Sequence, residues 1–494
     1  MKKSYFLFVL FFLTSFFVEA KHFEFTPLAI EAYQKAMSLR FEESKKDIEK
    51  IKREDSENQI AYFIENYIDF FTVFINENKS EFKRLEKNKY PRLKQIRKGD
   101  SDSPYYLYCQ AEIKLQWALA RLKFEQYFNA FNEVSDAYHL LKRNEKKFPN
   151  FVANKKSLGM LHAIVGTIPD KYKWGVKLLS GMTGNIKQGK KEMEEILVYA
   201  KSHPFMFEEE TLVMYAFLVL HLKDDMESAW NIIQNKKLDP TTNPLVCFAL
   251  GNIAIHTGRN DQAIDILENR PKGNQYAKFH FLDYMLGLSK LYRLDKDANL
   301  YLKKYVENFH GQNYIKEAYQ KLAWYELVRG NEINYVHYIK FCKTEGAKII
   351  GGDKNAEKEA KVGKIPNMVL LKARLLFDGG YHERAFKLLK RRTIADFETQ
   401  KDQLEYAYRL ARLTHNTGKH DEAIMYYQMT IDQGKNASYY FACNAALQIG
   451  RIYEYKNDLK KAKDFFNLCL SIKPDEYRNS LHQKAKAGLN RINN

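Results

Sequence analysis

Along the second half of the chain, apolar residues recur every third or fourth position in stretches of about ten to fifteen, the spacing that lines one face of an α-helix. Small residues punctuate these stretches at a fixed interval. In NPLVCFALGNIAIHTGRNDQAIDILENRP, Gly251 is followed by Gly258, Ala263, Leu267 and Pro271. LLKARLLFDGGYHERAFKLL carries Ala373, Gly380, Ala385 and Leu389, and RLARLTHNTGKHDEAIMYYQ carries Ala411, Gly418, Ala423 and Tyr427. The clearest copy runs from Gly450 through Tyr453, Ala462, Phe466 and Cys469 to Pro474, with Asn457 and Asp458 at its centre. In all four, an alanine stands twelve positions after the first small residue. Small residues at these offsets let two helices cross closely, and the larger ones between them form the packing faces. The pattern therefore predicts a recurring pair of antiparallel helices. Weaker copies read at Phe217 to Ile233, at Gly287 to Tyr305 and around Ala323, Trp324 and Gly330.

These offsets resemble the tetratricopeptide repeat, a helix pair of about 34 residues. The resemblance covers 205–494 and implies an all-α fold: a right-handed superhelical α-solenoid in which each antiparallel pair buries its neighbour's apolar face. Ala385 to Ala423 is 38 residues and Ala423 to Ala462 is 39, so the curvature should depart from that of a regular array. Residues 344–366 (TEGAKIIGGDKNAEKEAKVGKIP) interrupt the period as a polar insertion, read as a long loop or a short exposed helix. Residues 21–204 read as amphipathic helices outside the repeat register, with an irregular Gly- and Pro-marked insert at 151–190 that includes Pro169 and Trp174. This insert is distantly similar to an apolar segment that precedes the repeats in the tetratricopeptide repeat protein 39 family.

The first twenty residues read differently. Lys2 and Lys3 precede an almost wholly apolar run from Tyr5 to Val18, and Val18-Glu19-Ala20 offers small residues for cleavage. This is the pattern of a secretory signal peptide, and its apolar core falls short of the ~20 residues that span a bilayer. Export is therefore expected, to a periplasmic or secreted destination, with no transmembrane helix after removal of 1–20. The run Leu212 to Leu222 is also too short to span and should be a buried helix.

Composition adds constraints. Glycine (23) and proline (11) are scarce in 494 residues, which argues against β-sandwich, collagenous and disordered readings. The net charge of +18 suggests acidic partners or anionic surfaces. Losing Lys2, Lys3 and Glu19 with the leader leaves +17, and export turns that charge away from nucleic acid. One segment, 79–100, concentrates nine basic residues against three acidic ones. It reads as a solvated helix and loop, or as a peripheral contact with an anionic envelope surface.

No motif assembles a catalytic site. GNIKQGKK at 184–191 approaches the phosphate-cradling G-x-x-x-x-G-K-[ST], but Lys191 replaces the hydroxyl and no strand precedes the glycines, so a helix–helix turn is the better reading. The histidines show no zinc-protease spacing, and His415 and His420 flank the Gly418 turn. The five cysteines (109, 247, 342, 443, 469) are scattered and read as small buried residues. Neither metal nor cofactor is expected, and no enzyme activity.

The sharpest candidate is a register of arginines. Arg374, Arg412 and Arg451 each follow the small crossing residue of three consecutive units. The tetratricopeptide resemblance implies that this position faces the concave groove, where planar guanidiniums would suit carboxylates. Leu370 and Tyr408, four residues before Arg374 and Arg412, share that face as apolar contacts. The competing reading is an internal ion-pair ladder with acids such as Glu405 and Glu454. The expected function is thus an exported scaffold or adaptor binding a protein or peptide, acidic and extended. The alternative is a cell-envelope binder of glycan or anionic polymer.

Overall fold

The computed structural model describes residues 21–168, 176–223, 226–234 and 238–493. The leader read at 1–20, and Pro169 and Trp174 of the irregular insert, lie outside the described residues. Secondary structure is helical throughout; among the described residues the β-structure is one isolated bridge between His22 and Asn58. The chain divides into two compact units. The first runs to Phe207 without Phe74–Lys79 and Lys123–Glu125; the second holds those two short segments and Glu208–Asn494.

In the first unit, helices begin where the sequence supplies caps. The Thr26 hydroxyl accepts from the Ala29 amide at 3.2 Å, and Pro27 occupies the first turn of Pro27–Met37. The interior is aromatic: Phe63 and Tyr67 meet edge-on at 5.2 Å, as do Tyr33 and Tyr67 at 5.3 Å. Buried Lys156 lies 2.9 Å from the Glu112 carboxylate and 5.0 Å from the Phe207 ring, which compensates its desolvation by pairing and by the ring's negative face.

The 184–191 stretch enters a helix. The Asn185 side chain caps Ile186–Tyr199 by accepting from the Gln188 amide at 2.8 Å. Gly189 then faces the helix Ala153–Thr167 so closely that a Cβ there would stand 2.2 Å from the Gly159 carbonyl oxygen. The glycines permit a tight helix crossing.

The second unit is a succession of hairpins: Glu208–Lys223 with Met226–Ile233, Pro244–His256 with Asn260–Glu268, Phe281–Arg293 with Ala298–Asn308, and Ile315–Val328 with Glu332–Thr344. Met368–Asp378 with His382–Leu389, Gln400–Asn416 with His420–Gly434 and Phe441–Tyr455 with Leu459–Ser471 follow, and Arg478–Asn493 ends the stack. The apolar run at 212–222 lies within the first of these helices, and no described helix is long and apolar enough to cross a membrane.

The small residues sit at the crossings. A Cβ on Gly450 would stand 2.6 Å from Phe466 Cδ1, and one on Gly488 2.5 Å from Phe466 Cζ, so the Phe466 ring fills the space that two glycines vacate on two different helices. Turns between paired helices are tight: Gly258, Gly380 and Gly418 hold positive φ of 71°, 83° and 75°, a region that costs other residues strain.

Two features were not legible as such. The polar insertion contains the helix Gly351–Val362, which buries Asp353, Ala356 and Ala360 rather than standing exposed. Asp353 Oδ2 accepts from the Tyr314 amide at 2.8 Å and Oδ1 from the Glu317 amide at 3.0 Å, so the insertion caps the start of Ile315–Val328. The stack is also tightly wound. The Tyr381 hydroxyl donates to Asp261 at 2.7 Å, and a Cβ on Gly380 would meet the Gly258 carbonyl at 2.1 Å, joining turns about 120 residues apart.

Candidate functional site

Met368–Asp378 is the helix that positions the first arginine. Asn367 caps it, its side chain accepting from the amides of Val369 (3.0 Å) and Leu370 (3.2 Å). Leu370 points into the core with Ala373, Leu376, Ala385 and Leu389, and is 1% exposed. Arg374, half-buried on the same helix, lays its guanidinium 4.7 Å from the centre of the Trp324 ring, with Nε 3.7 Å from Asp378 Oδ2.

Arg412 occupies the matching place on Gln400–Asn416. Its guanidinium stacks over Phe377 at 3.9 Å and lies 5.9 Å from Tyr408. Tyr408 itself is 1% exposed, and its hydroxyl accepts from Asn444 Nδ2 at 2.6 Å, so it supports Arg412 from the core. Burial disfavours the charge on both arginines; Asp378 for Arg374, and Tyr408 then Asp378 for Arg412, more than offset it and hold both above the ordinary value. The negative charge of Asp378 thus favours both guanidiniums, and Asp378 pairs with Arg374.

Arg451 is half-buried on Phe441–Tyr455. Its charge reaches His415, whose pKa is driven down to about 4 by burial first, then by His420, Arg451 and Arg412. Of the acids that sequence set against the ladder, Glu405 acts on Arg374 through its charge, and both acids also pair with other arginines. Glu405 accepts from Arg409 on its own helix, and Glu454 takes both Nε and Nη2 of Arg491 at 2.7 and 2.8 Å.

Around Arg374 the chain forms a cleft of about 220 Å³, which Trp324, Leu370, Leu371, Tyr440 and Tyr477 help to line. Arg412, Arg451 and Tyr408 lie outside its lining. One wall comes from the insertion: Lys358 pairs with Glu476 at 3.1 Å, and Asn355 Nδ2 donates to the Tyr477 hydroxyl at 3.0 Å. Glu359 fixes the Trp324 ring by accepting from its Nε1 at 2.9 Å, and also accepts from Gln320 (2.6 Å) and the Tyr335 hydroxyl (3.0 Å). Lys321 lies 3.9 Å from the same ring, and burial pulls its pKa down.

Lys364 and Lys401 also line the cleft and are exposed; Lys401 lies 5.9 Å from the Tyr439 ring, and its charge helps to hold Glu405 ionised. Trp324, Lys401, Tyr440 and Tyr477 were missed by register reasoning. The only signals were the tryptophan in a weak repeat copy and the Tyr439-Tyr440-Phe441 cluster before a helix.

The basic segment at 79–100 forms the helices Lys79–Leu85 and Lys89–Ile96. Part of its charge is spent inward: Lys89 is 3% exposed and paired with Glu133, and Arg92 pairs with Asp69 and Glu65. Lys83, Arg84, Lys87, Lys94 and Lys98 remain exposed. Among the described residues no three His, Cys, Asp or Glu side chains gather in a way that would hold a metal ion.

Comparison with known proteins gives one family. The tetratricopeptide repeat profile matches residues 444–476, which span most of the pair Phe441–Tyr455 and Leu459–Ser471. No curated protein matches the chain. Among solved structures it is similar to a circular tandem repeat protein with novel repeat topology and enhanced subunit contact surfaces, at 12% identity over 94% of this chain and 98% of that one. The TM-score of 0.20 is too low for that likeness to carry weight, and the fold rests on the helix pairs themselves. The resemblance of 151–190 to the tetratricopeptide repeat protein 39 family is not confirmed by these matches. The chain is an all-α helical repeat protein that carries a tetratricopeptide repeat match at 444–476.

Proposed function

We propose that this chain is a non-catalytic, exported scaffold that holds an extended, acidic segment of a protein partner against the face carrying Arg374, Arg412 and Arg451. Helical repeats of this type present a long surface built from successive hairpins, which suits an extended ligand. The observation that carries the reading is the Arg374 cleft. A guanidinium is packed over Trp324 with Asp378 Oδ2 3.7 Å from its Nε, and the exposed Lys364 and Lys401 line the same cleft beside the carboxylates of Glu317, Glu359, Asp402, Glu405 and Glu476. A ligand carboxylate entering the cleft meets a guanidinium already ordered by packing on Trp324, which lowers the entropy lost on binding. Trp324 is 2% exposed, so it backs the guanidinium and offers no open face for stacking a sugar ring.

The test is a crosslinking pull-down from envelope extract with the wild-type chain and a variant carrying Arg374→Glu, Arg412→Glu and Arg451→Glu. Loss of specific partners at unchanged helicity supports the reading, and an unchanged partner set sinks it. Export is tested separately by sequencing the N-terminus of the protein from its native cell: a mature chain beginning at Lys21 supports it, and one retaining the leader counts against it.

A further inference from the structure

The fold brings together two cysteines that lie 26 positions apart in the sequence. Cys443 stands in the first turn of Phe441–Tyr455 and Cys469 near the end of Leu459–Ser471, so they face each other at the open end of the hairpin, away from its turn at Asn457. Their sulfurs are 3.6 Å apart, and both residues are fully buried. The other thiols are single. Cys247 donates to the Ile266 carbonyl at 3.6 Å and Cys342 to the Lys316 carbonyl at 3.2 Å, each across its own hairpin with no second sulfur opposite. Cys443 repeats that contact, lying 3.4 Å from the Cys469 carbonyl, with the added sulfur of Cys469 beside it.

We propose that Cys443 and Cys469 are joined as a structural disulfide in the exported protein, formed by exchange with an oxidising disulfide donor. The 3.6 Å separation is van der Waals contact, and small rotations about the two side chains bring the sulfurs to bonding distance without moving either helix far. In the exchange, one protein thiolate attacks the donor disulfide, forming a mixed disulfide and releasing one donor thiolate. The second protein thiolate attacks the mixed disulfide at the protein's sulfur, forming the Cys443–Cys469 bond and releasing the second donor thiolate. The protein loses two hydrogens, and two electrons pass to the donor. Because both sulfurs are buried, the bond forms while the hairpin is closing or when the end of the stack opens locally. The link spans nearly the whole hairpin matched by the family profile and ties its first helix to its second.

The inference draws its oxidant from the export reading and is independent of the arginine face. The full chain is unfolded under reducing conditions, refolded in reduced and oxidised glutathione, alkylated after denaturation and mapped by mass spectrometry. The expected product is one cross-link joining the peptides that hold Cys443 and Cys469, lighter by two hydrogens, with Cys109, Cys247 and Cys342 alkylated. Its thermal midpoint should stand about 5 °C or more above that of the dithiothreitol-treated protein. The Cys443→Ser chain should show one midpoint in both buffers. Alkylation of all five cysteines, a link to a different cysteine, or an oxidised protein that melts earlier than the reduced one overturns the proposal. Failure here refutes the disulfide; a correct link in glutathione with free thiols in the native protein refutes the oxidising location instead.

Discussion

Replacing Gly450 by alanine tests the helix-crossing argument at its tightest point. The new methyl would stand 2.6 and 2.7 Å from two carbons of the Phe466 ring, where ordinary contact begins at 3.4 Å. The ring must retreat by about 0.8 Å in a core packed like a crystal. Gly488 backs it on the far side, close enough that a Cβ there would lie 2.5 Å away, so little space is open. Overpacking of this kind costs about 1–3 kcal/mol, and the geometry places it in the upper part of that range. Helix propensity returns about 1 kcal/mol for glycine to alanine. The net expectation is a loss of about 1–2 kcal/mol.

A double-mutant cycle isolates the cause. Phe466→Ala alone should cost about 3–5 kcal/mol. With the ring gone, Gly450→Ala meets no obstacle and should stabilise by up to about 1 kcal/mol, reversing its sign. The assay is urea unfolding of the full chain, with hydrogen exchange over 441–493 to localise the effect to the end of the stack. If Gly450→Ala is neutral or stabilising with Phe466 present, or equally harmful in both backgrounds, the glycine is not there to admit the ring.

Three further outcomes follow from the same reasoning. Gly189→Ala should disrupt the first unit by about 3 kcal/mol or more, because its Cβ meets the Gly159 backbone, which cannot rotate away; loss of exchange protection in 153–167 and 186–199 would show it. Asp353→Ala should cost about 1–2 kcal/mol and expose the amides at the start of Ile315–Val328 to exchange, since two lose their acceptor. His415 has a folded pKa of about 4 against its ordinary 6.5, so the unfolded chain takes up the proton first. Its contribution is therefore complete above pH 6.5 and is lost as pH falls towards 4. His415→Phe should flatten the urea midpoint over that window, and an unchanged slope would contradict the assignment.

Much of the fold was legible because its cause is local. The twelve-residue interval from Gly251, Ala373, Ala411 and Gly450 to the alanine of the paired helix is set by where two helices touch, and each interval falls on an observed hairpin. The rest depends on contacts distant in sequence. Nothing near Asp353 announces that it caps a helix starting 38 residues earlier, and a polar GGDKNAEKEAK stretch looks solvated until Ala356 and Ala360 find their neighbours. The arginine register placed three guanidiniums on successive first helices. It could not show that Asp378 pairs with the first of them, that Tyr408 and Leu370 turn inwards, or that Trp324 and Tyr477 complete the cleft from far along the chain. Cys443 and Cys469 were each legible as core residues, while their 3.6 Å approach depends on how the two helices of the hairpin pack.

The most direct test of the binding account is a fluorescence-anisotropy titration of the full chain with an extended Asp/Glu-rich peptide and a neutral peptide of equal length. The account predicts saturable binding of the acidic peptide, weakened at least about tenfold by Arg374→Glu and by raising salt to about 0.5 M, with the neutral peptide unbound. Equal affinity for the two peptides, or acidic-peptide binding that Arg374→Glu leaves unchanged, would contradict it.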